Sequence, residues 1–369
     1  MNALTHMPPM DEVVIGWDIG GAHLKAARIE CGGRVSGVWL VPCPLWRGLD
    51  HLHQAIDRIK GMMRASDYCI HAVTMTGEMV DLFETRQAGV QTLVTLLNQR
   101  LGADRVHYYA GEQGWFDASQ ACQYAGRVAS ANWHATAHLV STCISEALLV
   151  DIGSTTTDLI PIRDSTVATV SNSDRDRLSA GELVYTGVVR TPLMAMASEA
   201  PVAGHFTPMM AEHFATSADV YRILGLLPEN ADLHDTADGG VKTPEASRVR
   251  LARMLGRDAG ELPDKAWAEL AAWFAGAQMA QIERAVRQVL SREMLAADTP
   301  LIIAGVGGFL GSRLAARIER PVINFSQVLT SHTHQDMVDG CAPAVAVGRL
   351  LATHRDPAGI HAPLDTPCG

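Results

Sequence analysis

Two short segments of this 369-residue chain repeat one design, and the repeat restricts the fold more than any other feature. The first reads Val13-Val14-Ile15-Gly16-Trp17-Asp18-Ile19-Gly20-Gly21-Ala22-His23-Leu24-Lys25-Ala26-Ala27. The second runs from Leu148 to Ile162, LLVDIGSTTTDLIPI. Each has an apolar run ending in Asp-Ile-Gly, then a polar turn, then a second strand. The glycine permits a turn that a Cβ would obstruct. Taken alone, either segment is also satisfied by a β-hairpin with a polar tip. Taken together, one opening each half of the chain, they predict two related lobes facing one phosphate-bearing ligand.

The chemistry of the turns fits that ligand. Ser154, Thr155, Thr156 and Thr157 offer hydroxyls and a row of backbone N–H groups, and such a row forms a nest around phosphate oxygens. Asp151 and Asp158 bracket the row. Two carboxylates repel a bare phosphate but suit a Mg²⁺ that bridges to it. In the first segment Lys25 follows closely on Gly20 and Gly21. A third glycine element, Leu301 to Leu310 with Gly305, Gly307 and Gly308, reads as a buried strand, a glycine turn and a helix start.

This ordered triplet resembles the actin, sugar-kinase and heat-shock-chaperone ATPase superfamily over most of the chain. The resemblance implies an α/β fold of two ribonuclease-H-like lobes around a central cleft. It implies that hairpin loops hold phosphates and that a glycine-rich turn holds adenosine. Gly20, Gly21, Lys25, Gly153, Ser154, Thr155, Thr156, Gly307 and Gly308 are then the expected phosphate-binding residues, and Asp18, Asp151 and Asp158 the expected metal ligands.

The rest of the chain reads in the same sense. Ala26–Glu30 and Val35–Val41 are strand candidates joined by Cys31-Gly32-Gly33. Leu52, Ile56, Ile59 and Met63 mark one face of a helix over Asp50 to Ala65. Tyr68 to Met75 reads as a buried strand, Gln87 to Leu101 as a helix and Val106–Tyr109 as a strand. The first half is therefore β-β-β-α-β-α-β, a ribonuclease-H-like order. After the central hairpin, Val167–Val170 is the expected third strand. Helices follow over Pro244–Leu255 and Asp264 to Met294, then a strand at Pro321–Phe325 and a helix at Ala342–Thr353. The expected lobes are 1–145 and 146–355, the second with a helical insertion at about 187–260, and 356–369 is a mobile Pro-rich tail.

Composition excludes several classes. Hydrophobic residues make up 47%, enough for two cores, and the net charge of −10 argues against nucleic acid as a partner. No apolar run reaches the ~18 residues of a membrane span. The first residues, MNALTHMPPMDE, lack the cationic start and apolar stretch of a signal peptide. Cys31, Cys43, Cys69, Cys122, Cys143, Cys341 and Cys368 show no zinc-type spacing and suit reduced thiols, so a cytoplasmic location is expected.

Other candidates lie where strands end, the usual place for ligands in such sheets. In Thr74-Met75-Thr76-Gly77-Glu78-Met79-Val80-Asp81, Glu78 and Asp81 present carboxylates just past a strand, although Asp81 also reads as a cap or solvated turn residue. Glu112 sits beside Trp115 and Phe116, and either meets substrate or borders core-covering aromatics. Asn132 opens a helix and either caps it or reaches the ligand. His134 and His138 have the spacing of a helical metal pair, but no acidic HExxH context surrounds them. His332 and His334 read as solvated loop residues. Tyr185, Thr186 and Arg190 fall in a glycine-flanked segment that reads as a functional loop, with Arg190 a fork for phosphate or carboxylate.

The segments GWDIGGAHLKAA, TMTGEMVDLF, ASANWHATA, LLVDIGSTTTDLIPI, GELVYTGVVRTPL and AGVGGFL together resemble one narrower branch, the hydantoinase/oxoprolinase-like proteins linked to tetrahydromethanopterin one-carbon metabolism. The resemblance implies aryl ether formation in methanofuran or methylofuran biosynthesis. A phenol of glutamylated tyramine or tyrosine attacks the methylene of (5-aminomethylfuran-3-yl)methyl diphosphate, and pyrophosphate leaves. Glu78 is then the expected base, with Asp18 or His23 behind it. Asp18 and Lys25 are catalytic, and Asp81, Glu112, Asn132, Tyr185, Thr186 and Arg190 bind substrate. Mg²⁺ is the expected cofactor, ATP or ADP is admitted but not required, and a homodimer is left open. The rival readings are an ATP-dependent small-molecule kinase, an ATP-driven amidohydrolase and a nucleotide switch.

Overall fold

The computed structural model describes residues 13–63, 69–330 and 335–355. The residues before Val13, His332, His334 and the tail from Asp356 lie outside the described residues. The chain divides into two compact units. One takes the chain up to Leu139 together with the segment from Thr330 onward, and the other runs from Val140 to Leu329.

In the first unit β1 (Val14–Ile19) is buried along its whole length, Asp18 included, and reads as a largely apolar run. It pairs antiparallel with β2 (His23–Ile29), and β2 pairs antiparallel with β3 (Val35–Pro42). Helix α1 (Asp50–Met63) buries Leu52, Ile56, Ile59 and Met63. It leads to β4 (Ile70–Met75), parallel to β1. Helix α2 (Arg86–Leu101), capped by the Thr85 hydroxyl, leads to β5 (Val106–Tyr109), parallel to β4. A short β6 (Trp115–Phe116) completes the sheet in the order β3-β2-β1-β4-β5-β6. Ile15, Trp17 and Ile19 form one core with residues of α1 and α2. Helix α3 (Asn132–Cys143) follows.

The last helix, Ala342–Arg355, packs on β1, β2 and β4. It therefore belongs to the first unit, whereas the sequence places it with the second lobe. Two glycines bring it there. A Cβ on Gly16 would lie 2.0 Å from the Ala344 carbonyl oxygen, and one on Gly348 would lie 2.7 Å from Ile29 Cγ1 and 3.3 Å from the Gly16 nitrogen. Helix and strand meet backbone to backbone.

The second unit repeats the first. β7 (Ala147–Ile152) and β8 (Thr157–Arg163) form the central hairpin. β9 (Thr166–Val167) is a two-residue continuation after a turn in which Asp164 and Ser165 have φ of 51° and 58°. Helix α4 (Asp174–Ala180) then delivers β10 (Leu183–Val184), which takes the third place in the sheet. The expected strand over Val167–Val170 is thus displaced, because Leu159 N–H is taken by the Glu182 carbonyl at 2.9 Å.

Beyond β10 the insertion contains a two-stranded sheet of β11 (Glu199–Val202) and β12 (His205–Pro208), as well as helices α5 (Ser217–Ile223) and α6 (Pro244–Met254). Buried Arg250 ties those helices together, donating from Nε to Asp219 Oδ1 at 2.8 Å. The 27-residue helix α7 (Asp264–Leu290) buries Trp267, Leu270, Phe274, Ile282 and Val286. β13 (Leu301–Ala304), α8 (Gly311–Ile318) and β14 (Val322–Asn324) close the sheet in the order β10-β8-β7-β13-β14, with β13 and β14 parallel to β7. Among the described residues no helix is long and apolar enough to cross a membrane.

Three outcomes follow for the first unit. Gly16→Ala lowers stability in urea unfolding by about 1–3 kcal/mol, because backbone atoms must move to admit the methyl group. Gly61→Ala in α1, where a Cβ meets open space, raises it by up to about 1 kcal/mol. The third outcome concerns His71, whose Nδ1 accepts from Trp17 Nε1 at 3.1 Å in the core. Burial lowers its pKa from the usual 6.5 to about 4. Above the ordinary value neither state is protonated at this ring. As pH falls from 6.5 to 4 the unfolded chain binds a proton that the native chain refuses, so stability falls by about 3 kcal/mol. His71→Gln flattens this part of the pH–stability curve.

Candidate functional site

The first hairpin turn is closed by Gly20, whose N–H donates to the His23 carbonyl at 3.0 Å. A Cβ there would sit 2.8 Å from that oxygen. The turn is propped from behind, since the Gly21 and Ala22 carbonyls accept from Leu45 and Cys43 at 3.0 and 2.8 Å. Register sets Asp18 opposite Lys25 on β2 and opposite Thr74 on β4. Lys25 Nζ lies 3.3 Å from Asp18 Oδ2. Asp18 is only 3% exposed, and its Oδ1, like Thr74 Oγ1, has no hydrogen-bond partner. Burial raises the Asp18 pKa, and the charge and hydrogen bond of Lys25 oppose that rise. Both groups act on the Cys341 thiol, which burial pushes up to about 12. Asp18 is thus a desolvated carboxylate already matched to a cation.

The second hairpin copies this turn. Gly153 N–H donates to the Thr156 carbonyl at 2.8 Å, and Asp151 faces Asp158 across the strands. The position held by Lys25 in the first unit is therefore held by a second acid. The charge it adds is met by Arg177, 1% exposed, whose Nη2 donates to Asp158 Oδ1 at 2.7 Å and to the Glu182 carbonyl at 3.1 Å. Asp158 is in this way the partner of a buried ion pair.

The segment after β10 lies directly on this turn. Val188 N–H donates to the Gly153 carbonyl at 3.0 Å, and Val189 and Arg190 N–H both donate to the Ser154 carbonyl, at 3.1 and 2.9 Å. Gly187 permits the approach, because a Cβ there would lie 2.5 Å from Ser154 C and from Thr155 N. A buried network holds the segment in place. Gln278 Nε2 on α7 donates to Thr186 Oγ1 and to the Gly187 carbonyl, each at 2.7 Å, and Thr191 Oγ1 accepts from Gly187 N–H at 2.8 Å. Thr186 is thus a buried brace of this segment. Tyr185, 65% exposed, and Arg190, also exposed, are its accessible neighbours. Ser154, Thr155, Thr156 and Asp151 are half-buried at the turn.

The glycine turn after β13 packs onto the same strand. Gly305 has φ of 85°, and a Cβ there would lie 2.2 Å from the Ile152 carbonyl oxygen and 2.4 Å from Asp151 Oδ1. Gly307 N–H donates to that Ile152 carbonyl at 2.8 Å and Gly308 N–H to the Gly305 carbonyl at 3.1 Å. The Gly307 amide is thus spent on the end of β7 and the Gly308 amide within the turn.

At the strand ends of the first unit, Glu78 lies in a short 3-10 turn and is 1% exposed. Its Oε1 accepts from Ser130 Oγ at 2.8 Å. A Cβ on Gly89 would lie 2.6 Å from the Glu78 carbonyl oxygen, so α2 presses directly on the turn. The buried carboxylate thus holds the turn through Oε1. Asp81 and Glu112 are exposed. Asn132 opens α3, with its Oδ1 accepting from Trp133 N–H at 2.8 Å. The His134 and His138 pair turns its Nδ1 atoms onto one hydroxyl, that of Tyr109.

Two of the three aspartates expected to serve a metal already have a cationic partner within their own unit. Asp158 is committed to Arg177 and Asp18 to Lys25. Among the described residues no group of three or more His, Cys, Asp or Glu side chains gathers as a metal site. Sequence reasoning also missed Arg177, Gln278, Ser130 and Tyr109. Each acts on a residue at least 19 positions away, and none stands in a glycine-marked motif.

Comparison with known proteins bears on these features. The family described as hydantoinase/oxoprolinase matches residues 70–353, well over half of the chain. A protein of Methanocaldococcus jannaschii, named (4-{4-[2-(gamma-L-glutamylamino)ethyl]phenoxymethyl}furan-2-yl)methanamine synthase, is 29% identical over 94% of this chain and 100% of its own length. A Methanococcus vannielii protein of the same name is 35% identical over 31% of this chain and 51% of its own. Among solved structures, nucleotide-free acetone carboxylase is similar with a TM-score of 0.53 and 9% identity, over 92% of this chain and 70% of that one. That likeness concerns the fold alone. The architecture is that of the actin, sugar-kinase and heat-shock ATPase type.

The Arg177–Asp158 pair yields a direct test. Arg177→Met strands a carboxylate in a low-dielectric site and lowers stability by about 3 kcal/mol, whereas pairing it with Asp158→Leu restores most of the loss. Urea unfolding of the three proteins reads both effects.

Proposed function

The chain belongs to the hydantoinase/oxoprolinase family, and we propose that it is a transferase of methanofuran or methylofuran biosynthesis that joins a phenol to an aminomethylfuran methyl diphosphate as an aryl ether. The observation that carries this reading is the full-length match to a relative whose printed name describes a phenoxymethyl furan methanamine.

In the proposed reaction the phenol oxygen of a glutamylated tyramine or tyrosine forms a bond to the furan methylene. The bond from that carbon to diphosphate breaks, and its electron pair leaves with pyrophosphate. The electron-rich furan stabilises positive charge at the exocyclic carbon, so the barrier lies in releasing an anion. Each unit carries groups suited to anionic oxygens. In the first unit this is Lys25 beside the Gly20–Gly21 turn. In the second it is the half-buried Ser154, Thr155 and Thr156, with Arg190 on the segment that props them. Charge-matched donors of this kind act where charge develops, and removing one costs about 3 kcal/mol. Mg²⁺ enters this proposal as the counter-ion of the diphosphate substrate.

Incubation with the furan diphosphate and tyramine, followed by phosphorus NMR, tests the reading. Pyrophosphate release that requires the phenol is the expected result. Release of ADP from ATP, with the furan diphosphate untouched, overturns it in favour of a kinase or an ATP-driven hydrolase. Lys25→Met lowers the ether-forming rate about 10²- to 10³-fold.

A further inference from the structure

A trans peptide group carries its C=O and its N–H on opposite edges of one plane. Holding the oxygen therefore sets the line along which the N–H donates. The second unit joins several such groups end to end. Tyr221 on α5 donates its hydroxyl proton to Gln278 Oε1 on α7. Burial raises the Tyr221 pKa, against the charge of Arg313, so that proton stays on the hydroxyl. Gln278 is fully buried, and its Nε2 donates to the Gly187 carbonyl at 2.7 Å. The peptide group of that carbonyl ends in Val188 N–H, which donates to the Gly153 carbonyl at 3.0 Å. The peptide group of the Gly153 carbonyl ends in Ser154 N–H.

Every link in this chain points the same way. The Gln278 amide cannot be reversed, because the Gly187 carbonyl only accepts. Gly187 also lets the two peptide groups meet, since a Cβ there would lie 2.6 Å from the Gly153 oxygen. The chain ends at Ser154 N–H, directed away from the segment that props the turn. A second branch runs beside it. The Ser154 carbonyl accepts from Val189 and Arg190 N–H, and its peptide group ends in Thr155 N–H. Among the described residues no backbone carbonyl accepts from the N–H of Ser154, Thr155 or Thr156. Hydrogen bonds in series strengthen one another by roughly 10–30% per bond. The last amide of the series is thus a better donor than an isolated one, and its aim is set from a fully buried side chain.

We propose that Tyr221 and Gln278 are positioning residues that aim and strengthen Ser154 N–H as a donor to a condensed phosphate. This rests on the ether-forming reading for the identity of that anion. As the bond from the furan methylene to diphosphate breaks, its electron pair passes to the diphosphate, and Ser154 N–H meets the charge that develops there. Tyr221 and Gln278 touch neither substrate. They make and break no covalent bond, and no proton moves along the chain.

Two measurements test this. Nitrogen-15 NMR of the whole protein, free of ligand, finds the Val188 and Ser154 amide nitrogens shifted upfield in Gln278→Met and, by less, in Tyr221→Phe. The Gly20 and Gly21 amides stay in place. Tyr221→Phe keeps the ring that packs edge-on against Phe309, so it decides the point if Gln278→Met does not fold. An unmoved Ser154 amide marks a merely structural role and overturns the proposal. The second measurement uses inorganic pyrophosphate and then the reaction. Pyrophosphate moves the Ser154 and Thr155 amides of the wild type, and its Kd rises about 10-fold in Gln278→Met. The kcat for ether formation falls about 10-fold in the same variant, with KM for tyramine unchanged. Pyrophosphate that leaves these amides unmoved, or binds both proteins equally, overturns the proposal. Wild-type protein that binds pyrophosphate at these amides but makes no ether overturns the reaction alone, and the ligand-free amide shifts still decide the chain.

Discussion

A glycine N–H bonded to a carbonyl three residues onward closes each Asp-Ile-Gly hairpin, and the placement of the polar groups depends on that closure. Gly20 meets His23 and Gly153 meets Thr156 in the same way. The bond fixes where β1 and β7 end, so it fixes which residue of the returning strand faces the aspartate. The turns are too tight to tolerate drift, because later backbone amides prop each of them from behind. Cys43 and Leu45 do this in the first unit, and Val188 to Arg190 in the second. A chemically varied surface therefore rests on main-chain hydrogen bonds that side-chain substitution leaves in place.

The same frame also shows how the copies have diverged. Equivalent register positions hold Lys25 in one unit and Asp158 in the other. In the first unit the cation comes from the hairpin itself. In the second the hairpin is doubly acidic, and the cation arrives from α4 as Arg177. Buried charge must be paired, and the two units meet that demand by different routes. The cross-strand lysine leaves its ammonium partly exposed beside the turn, whereas the arginine is wholly buried and serves the fold.

Much of the architecture was legible because its signals are local. Strand-glycine-strand patterns gave both hairpins, and the apolar spacing in Asp50–Met63 and Asp264–Leu290 gave the helices. The strand at Val167–Val170 was misplaced because Glu182, across a helix, competes for the edge of β8. The last helix was assigned to the wrong unit because its attachment depends on Gly16 and Gly348, two ordinary-looking glycines 332 positions apart. In the candidate site, the places of Asp18, Lys25 and Ser154–Thr156 on the two hairpins could be read directly. The pairing of Asp158 with Arg177, the burial of Thr186 under Gln278 and the grouping of Tyr109 with two histidines could not. Each is set by which faces of distant elements meet, and a linear pattern holds no record of that.

The passage of the last helix across β1 also bears on the order in which the protein can be made. The second unit is one continuous stretch of chain, Val140 to Leu329, and holds all of its own sheet. The first unit begins earlier but lacks the cover for one face of its sheet until Ala342–Arg355 has been synthesised. Domains that emerge complete fold as units during translation. The half of the protein encoded first is therefore the half finished last, and its apolar strands need protection from aggregation for nearly the whole of synthesis.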